Sequence, residues 1–259
     1  MVQLAHPGSA IRSVRFDPAL DDEPGAAVRI GLVVIATDHT SERDFRRILP
    51  STVDVLVSRV PCRTVTTVES LGEMATDLTQ AADLLLPGSQ LHAIAFACTT
   101  GAIVIGAAKV AQRIQLVRPG VPVTTPIEAA IDAFEAFGVR RISVVLPYLE
   151  TVNERVVACL EAADLEVVSV VSFEQESDRD MARVRPDAIV AAGVAADRPE
   201  AEGVFVSCTA LRSAEAAESL ERRLGKPVVT SNQALCWRLM RLTGVHAKIA
   251  GYGALLMKH

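Results

Sequence analysis

The sequence predicts an α/β protein made of two pseudo-symmetric lobes. Each is a parallel sheet covered on both faces by helices, with the active site in the cleft between the lobes. Three observations lead there. Short apolar runs of strand length alternate with stretches whose apolar residues recur at helical spacing. The strand runs are continuously apolar, as in strands buried on both faces of a parallel sheet. The two halves also echo each other. "RIGLVVIATDHTSER" from Arg29 is matched by "RISVVLPYLETVNER" from Arg141. "AIAFACTTG" ends on a Cys98 motif and "GVFVSCTAL" on a Cys208 motif. "PVTTPIEAA" from Pro122 is matched by "PVVTSNQAL" from Pro227. The offsets are 112, 110 and 105 residues, in the same order, and the echoes include polar residues as well as strand apolars.

Taken in order, "VRIGLVVIA" (28–36), "VDVLVSRV" (53–60) and "HAIAFA" (92–97) are strands of the first half. Between them, "SERDFRRILP" reads as a helix with Ser41 as N-cap, and "VESLGEMATDLTQAADLLL" (68–86) carries helical spacing. "GAIVIGAAKVAQRI" (101–114) follows as one helix. "PIEAAIDAFEAFG" opens with Pro126 and closes with Gly138, the usual punctuation of a helix. The second half continues through "RISVVLP", "TVNERVVACLEAAD", "LEVVSVVSF", a helix in "DRDMARVR", then "PDAIVAAG", "GVFVSC", "AEAAESLERRLG", "KPVVTS" and "NQALCWRLMRLTG". Residues 1–27 read as an N-terminal extension, 28–124 with 231–259 as the first lobe, and 125–230 as the second.

The chain has 259 residues, 50% of them apolar, which is ample for two such lobes. The formal net charge is −5 and the basic residues are dispersed, so a nucleic-acid footprint is not expected. The N-terminal stretch lacks a signal-peptide apolar region, and the longest apolar run, Ala188 to Ala196, is too short to span a bilayer. A cytoplasmic protein with no membrane partner is expected. Its five cysteines then read as free thiols. No CxxC or HExxH pattern is present, and neither a metal nor a cofactor is expected.

The chemistry concentrates at Cys98 and Cys208. Ligands of open α/β sheets bind beyond the carboxyl ends of the strands, where both cysteines fall, one per half. Each is read as standing where a helix begins, with a threonine next. Unpaired N–H groups and the positive helix end would favour thiolate and seat a carboxylate. Two such thiols facing each other suit chemistry that needs an acid on one face of a carbon and a base on the other. Cys62, Cys159 and Cys236 read as packing. His39 is weighed evenly between ligand and loop residue. Asp38 and Thr40 read as turn and cap, and Thr124 and Thr125 as hinge, cap or ligand contacts. Arg212 is either a carboxylate contact or an exposed arginine. "SFEQESDRD" (172–180) reads as a solvated acidic loop. His6, His92, His246 and His259 are assigned no role.

At "FACTTG" and "VSCTALR" the chain resembles the Asp/Glu racemase superfamily, in the branches holding maleate cis–trans isomerase, arylmalonate decarboxylase and the ectoine-utilisation proteins. "LPYLETVNERV" and "ATDHTSERDFRRILP" resemble further segments, and the likeness runs from about Val28 to the C-terminus. The resemblance implies a cofactor-free isomerase, in a homodimer, acting on a small carboxylate substrate. Cys98 and Cys208 would exchange protons with it from opposite faces, or add to its double bond. Tyr148 would hold a substrate carboxylate, Asn153 would open the next helix, and His39 falls nearest to an asparagine of the isomerase branch. Backbone N–H groups of Thr99, Thr100, Thr209 and Ala210 would cradle carboxylate oxygens. The decarboxylase branch keeps only the second cysteine, so Cys98 argues against decarboxylation. The wording "SCTALR" is nearer the ectoine-utilisation branch, whose substrate would be an amino acid of the diaminobutyrate type. Ser177 and Asp178 fall where the isomerase branch has a further substrate asparagine. Two readings from other classes stand beside this one: a non-catalytic carboxylate-binding module, and a cysteine hydrolase using His39 as base.

Overall fold

The computed structural model describes residues 15–20, 25 and 27–259. Most of the expected N-terminal extension, residues 1–27, lies outside the described residues. Two four-stranded parallel sheets follow. The first contains β1 (Val28–Ile35), β2 (Val53–Val60), β3 (Ala93–Ala97) and β4 (Val123–Thr124), in the order β2-β1-β3-β4. The second contains β5 (Arg141–Leu146), β6 (Glu166–Ser172), β7 (Gly203–Val206) and β8 (Val228–Thr230), in the order β6-β5-β7-β8. All six strand pairs are parallel. The second order is the first displaced by four strands, which is the topology of a duplicated unit.

The inner strands β1, β3, β5 and β7 are buried along almost their whole length. This is why their sequences are apolar without alternation. Phe45, Phe96, Phe134 and Phe205 are among the largest fully buried side chains. Each contributes about 1.5–3 kcal/mol relative to an exposed position. Phe134 meets Phe205 edge to face, with ring centroids 6.3 Å apart, joining a helix to the central strand of the second sheet.

Helices cover the sheets: α1 (Ser41–Ile48), α2 (Val68–Glu73), α3 (Leu78–Asp83), α4 (Thr99–Ile105), α5 (Ala107–Gln115) and α6 (Pro126–Phe137) from the first half. From the second come α7 (Glu150–Glu161), α8 (Asp178–Arg183), α9 (Pro186–Ala196), α10 (Ala217–Leu224), α11 (Ser231–Leu242) and α12 (Ala254–Lys258). Two expected continuous helices are broken. The stretch 68–86 divides into α2, a 3₁₀ turn at Met74–Thr76 and α3. Thr76 turns its hydroxyl back onto the Glu73 carbonyl there, and Gly72 weakens the preceding turn. The stretch 101–114 divides at Gly106, whose φ of +90° ends α4 while its carbonyl starts α5. Gly138 closes α6 in the left-handed conformation at φ +68°.

The last strand of each sheet leads into a helix that reaches the other half. α6 follows β4 and packs on β8 and α11, whereas α11 follows β8 and packs on α1, β3 and β4. The start of α11 is buried and polar. Asn232 is fully buried; its amide donates to Asp44 Oδ2 and to the Thr209 carbonyl, both at 2.9 Å. Ser231 Oγ receives the Cys208 N–H at 2.9 Å and lies 3.0 Å from Thr99 Oγ1. Replacing Asn232 by leucine, similar in volume but without a donor, leaves buried oxygens on both halves unpaired. The expected cost is roughly 2–4 kcal/mol. Thermal melting should fall by about 2–4 °C per kcal/mol, and a melting temperature within about 1 °C of the parent would show that this residue does not join the halves.

Candidate active site

Cys98 ends β3 and is the N-cap residue of α4. Its backbone is extended, φ −146° and ψ 110°, and its sulfur accepts the Gly101 N–H at 3.3 Å. Thr100 Oγ1 lies 4.0 Å from the same sulfur. Glycine at 101 is required: a Cβ there would stand 2.9 Å from the Cys98 sulfur and 2.7 Å from the Met74 methyl. The cysteine therefore takes the place of the oxygen that usually caps a helix.

Cys208 is built differently from the sequence expectation. It follows β7 but does not begin a helix; a turn runs from it, and α10 starts only at Ala217. Its φ is +99°, a strained conformation for a residue with a side chain. That backbone is held because the Cys208 N–H donates to Ser231 Oγ, while the sulfur receives the Ala210 N–H at 3.3 Å. The same turn aims the Leu211 N–H at the sulfur. A nest of turn amides, rather than a helix end, faces this thiol.

Both cysteines are buried, Cys98 5% exposed and Cys208 4%. They are close enough for a charge on one to oppose ionisation of the other. Around them the two halves interlock. Thr209 Oγ1 donates to the Ala97 carbonyl at 3.2 Å, and Thr40 Oγ1 donates to the Ala210 carbonyl at 2.7 Å. The Thr66 N–H reaches across to the Glu176 carbonyl at 3.0 Å. A cavity of about 20 Å³ remains beside Cys98, lined by Cys62, Met74, Thr100 and Asp178 among others. That volume holds a single water.

The expected thiolates are corrected by the electrostatics. Burial pushes the Cys98 thiol far up, and the charge of Asp178 adds to it; the Gly101 N–H offsets little of this. Burial and then Asp178 likewise push Cys208 up to about 12, against the Tyr148 hydroxyl and the Ala210 and Leu211 N–H groups. Both resting thiols are protonated near neutral pH.

The remaining expected residues separate. Tyr148 is buried; its hydroxyl bonds the Cys208 sulfur and lies 3.5 Å from Ser207 Oγ. Asn153, in the first turn of α7, donates to the Tyr148 carbonyl at 2.8 Å and to Ser172 Oγ at 2.9 Å, so it positions the tyrosine. His39 is exposed and lines an outer cavity of about 540 Å³ with Arg43, Arg46, Arg47 and Arg59, not the enclosed one. Asp38 caps α1, accepting the Thr40 and Ser41 N–H groups at 2.9 and 2.8 Å. Thr125 Oγ1 donates to Glu128 at 2.7 Å within α6, and Arg212 donates to the Val184 carbonyl at 3.2 Å.

Asp178 departs from the expected solvated loop. It begins α8, is 8% exposed, accepts a hydrogen bond from Thr37 Oγ1, and its charge acts on both cysteines. Cys62, expected to be packing, lies 3.3 Å from Thr37 Oγ1 and lines the same cavity as Cys98. Among the described residues no three His, Cys, Asp or Glu form a metal-holding group, and no helix is long and apolar enough to cross a membrane.

Thiol labelling tests this electrostatic picture. Iodoacetamide near neutral pH should modify the half-buried Cys62 first and leave Cys98 and Cys208 slow, with their rates rising only in alkali. Fast labelling of Cys98 or Cys208 at neutral pH, mapped by mass spectrometry, would mean that burial does not control them.

Comparison with known proteins follows the same lines. The arylmalonate decarboxylase family model matches residues 66–256. Arylmalonate decarboxylase of Bordetella bronchiseptica is 37% identical over 139 residues, which are 52% of this chain and 58% of that protein. The match thus spans little more than half of that relative's length. Maleate isomerase Iso of Pseudomonas putida S16 superposes with a TM-score of 0.82 at 22% identity, covering 89% of this chain and 98% of the other. A cysteine-to-serine mutant of Nocardia farcinica maleate cis–trans isomerase, solved with a covalently bound succinylcysteine intermediate, superposes with a TM-score of 0.81 at 22% identity, covering 90% and 99%. These likenesses show the shared two-sheet fold. With the family model covering most of its length, the chain belongs to the arylmalonate decarboxylase family, within the Asp/Glu racemase-like superfamily.

Proposed function

We propose that this protein is a cofactor-independent two-cysteine isomerase, a racemase or epimerase of a small amino or dicarboxylic acid. The observation that carries the reading is the pair of buried thiols, one from each half, within electrostatic reach of each other and each served by backbone N–H groups. In the forward direction one of the two resting thiols first gives its proton to bulk water as substrate binds; the thiolate so formed takes the α-proton and becomes a thiol. The substrate carboxylate takes up the electron pair as an enediolate. The other thiol then returns a proton to the opposite face and is left as thiolate. The N–H groups of Thr99, Thr100 and Thr209 stabilise the enediolate oxygens, the Ala210 N–H serves the Cys208 sulfur, and Tyr148 hydrogen-bonds Cys208 and the carboxylate beside it. Each turnover leaves the two cysteines with exchanged roles, so protons and charge balance.

The alternative within the same class is maleate cis–trans isomerisation, with a thiolate adding to the double bond. The succinylcysteine captured in the Nocardia farcinica relative supports it. Decarboxylation, the activity named for the Bordetella bronchiseptica relative, needs no acid on the first face, and the presence of Cys98 speaks against it. A non-catalytic carboxylate-binding module would have no use for Cys208 held at φ +99°, since that strain aims the thiol at the turn amides. An acid from ectoine breakdown, of the diaminobutyrate type, is the substrate we favour, in a cytoplasmic homodimer.

Deuterium exchange at the α-carbon, with aspartate, glutamate and 2,4-diaminobutyrate of both hands and maleate screened beside them, tests the reading. Cys98→Ala and Cys208→Ala should each slow racemisation by at least about 10²-fold, the usual worth of a positioned acid or base. Undiminished turnover in either variant, on whichever acid the parent converts, would end the two-cysteine mechanism.

A further inference from the structure

We infer that Asp178 is the specificity-determining residue of this site, and that it selects acids carrying an ammonium group over plain dicarboxylates. The inference rests on the two-cysteine reading for its location and adds the class of substrate.

Asp178 lines the same small cavity as Cys98 and reaches Cys208 electrostatically. Its α8 helix also carries Met181, whose sulfur lies 3.7 Å from the Cys208 sulfur. The carboxylate is thus inside the reaction space. Among the described residues no cation pairs with it. Thr37 donates one hydrogen bond, and the exposed His39 acts from outside the cavity. Arg63 also lines the cavity, but its guanidinium is two-thirds exposed and bound to Glu73 at 2.9 Å. The other titratable side chains at the site are acids: the thiols of Cys62 and Cys98 in the lining, and the Cys208 thiol and Tyr148 hydroxyl behind them. A dicarboxylate can seat one carboxylate on the backbone N–H groups, but it brings a second against a buried carboxylate that no side-chain cation among the described residues pairs with. Like charges at short range in a dry site disfavour each other strongly.

An ammonium group reverses this balance. It gives Asp178 an opposite charge and a donor for its second oxygen. It also relieves the thiols. After burial, the Asp178 charge is the largest influence opposing their ionisation, at Cys98 and at Cys208 alike. Neutralising that charge with a bound cation makes thiolate formation easier only while substrate is present. The same contact therefore selects the substrate and readies the base. A plain dicarboxylate would do neither.

Aspartate and succinate differ only by one ammonium group, which isolates the effect, and 2,4-diaminobutyrate adds a second ammonium in place of the distal carboxylate. Isothermal titration of the whole chain should find aspartate or 2,4-diaminobutyrate bound at least about tenfold more tightly than succinate. Asp178→Asn keeps the shape and the Thr37 hydrogen bond but removes the charge. It should bring the preferred acid to within about threefold of succinate, chiefly by weakening the ammonium-bearing ligand. Succinate bound as tightly as both ammonium-bearing acids by the parent protein overturns the inference, whatever the variant does. A preference that survives Asp178→Asn overturns it equally, because a protonated carboxyl donating to a substrate carboxylate is well mimicked by the amide. The cysteine mechanism is judged separately by deuterium exchange in the alanine variants. An ammonium preference lost in Asp178→Asn, with exchange intact in Cys98→Ala and Cys208→Ala, would keep this inference and remove that one.

Discussion

Most of this structure depends on the buried polar start of α11. Asn232 ties Asp44 of α1 to the turn after Cys208, and Ser231 ties the Cys208 backbone to Thr99 at the head of α4. These bonds span sequence separations of 188 and 132 residues, so no local preference specifies them. They fix the two sheets, which share one continuous core, against each other and with them the positions of the two thiols. The arrangement has a cost. Burial raises the Asp44 pKa to about 6, against the Asn232 amide and Arg43, so the carboxylate is ionised at neutral pH at the expense of stability. Below about pH 4 the group is protonated in both folded and unfolded chains and this penalty vanishes; it is complete once the pH exceeds the folded value. An apolar seam would avoid the penalty, but it would not hold the Cys208 turn in its strained conformation.

Inner-strand positions were legible because burial on both faces demands uninterrupted apolar residues, and the run 28–36 contains β1. Pro126 and Gly138 marked α6 because each has one conformational use at a helix end. The duplication was legible in the paired motifs. What escaped was decided by contacts distant in sequence. Nothing local distinguishes a cysteine that opens a helix from one held at positive φ by a serine 23 residues later. The acidic stretch around Asp178 has the composition of a solvated loop. Asp178 alone in that stretch is buried, bonded by Thr37, 141 residues away, from the other half. The thiol state was misjudged for a related reason. Amide donors are visible as helix starts and turns, whereas the degree of enclosure that overrides them is a property of the assembled halves.

The site's electrostatics follow from enclosure. In the resting state burial drives both cysteines and Tyr148 toward their neutral forms, and the Asp178 charge adds to this at the cysteines. Such a site is inert until something changes the dielectric or adds charge, which protects two thiols from casual oxidation. It also explains why the amide donors matter. They do not ionise the resting thiols, but they are already oriented toward the positions where negative charge develops, so stabilising it requires little reorganisation.

Enclosure also constrains access. A four-carbon acid does not fit a cavity of about 20 Å³. The walls must part for such an acid to enter, and on the cavity side the halves are joined by the bond from Thr66 to Glu176, between loops that follow β2 and β6, and by that from Thr37 to Asp178. The hub at α11 contributes no residue to the lining of that cavity and is bonded several times over. An opening on that side would leave the bonds at α11, and with them the relation between Cys98 and Cys208, undisturbed. The bonds that join the halves at α11 thus stand away from the cavity that a ligand would have to enlarge.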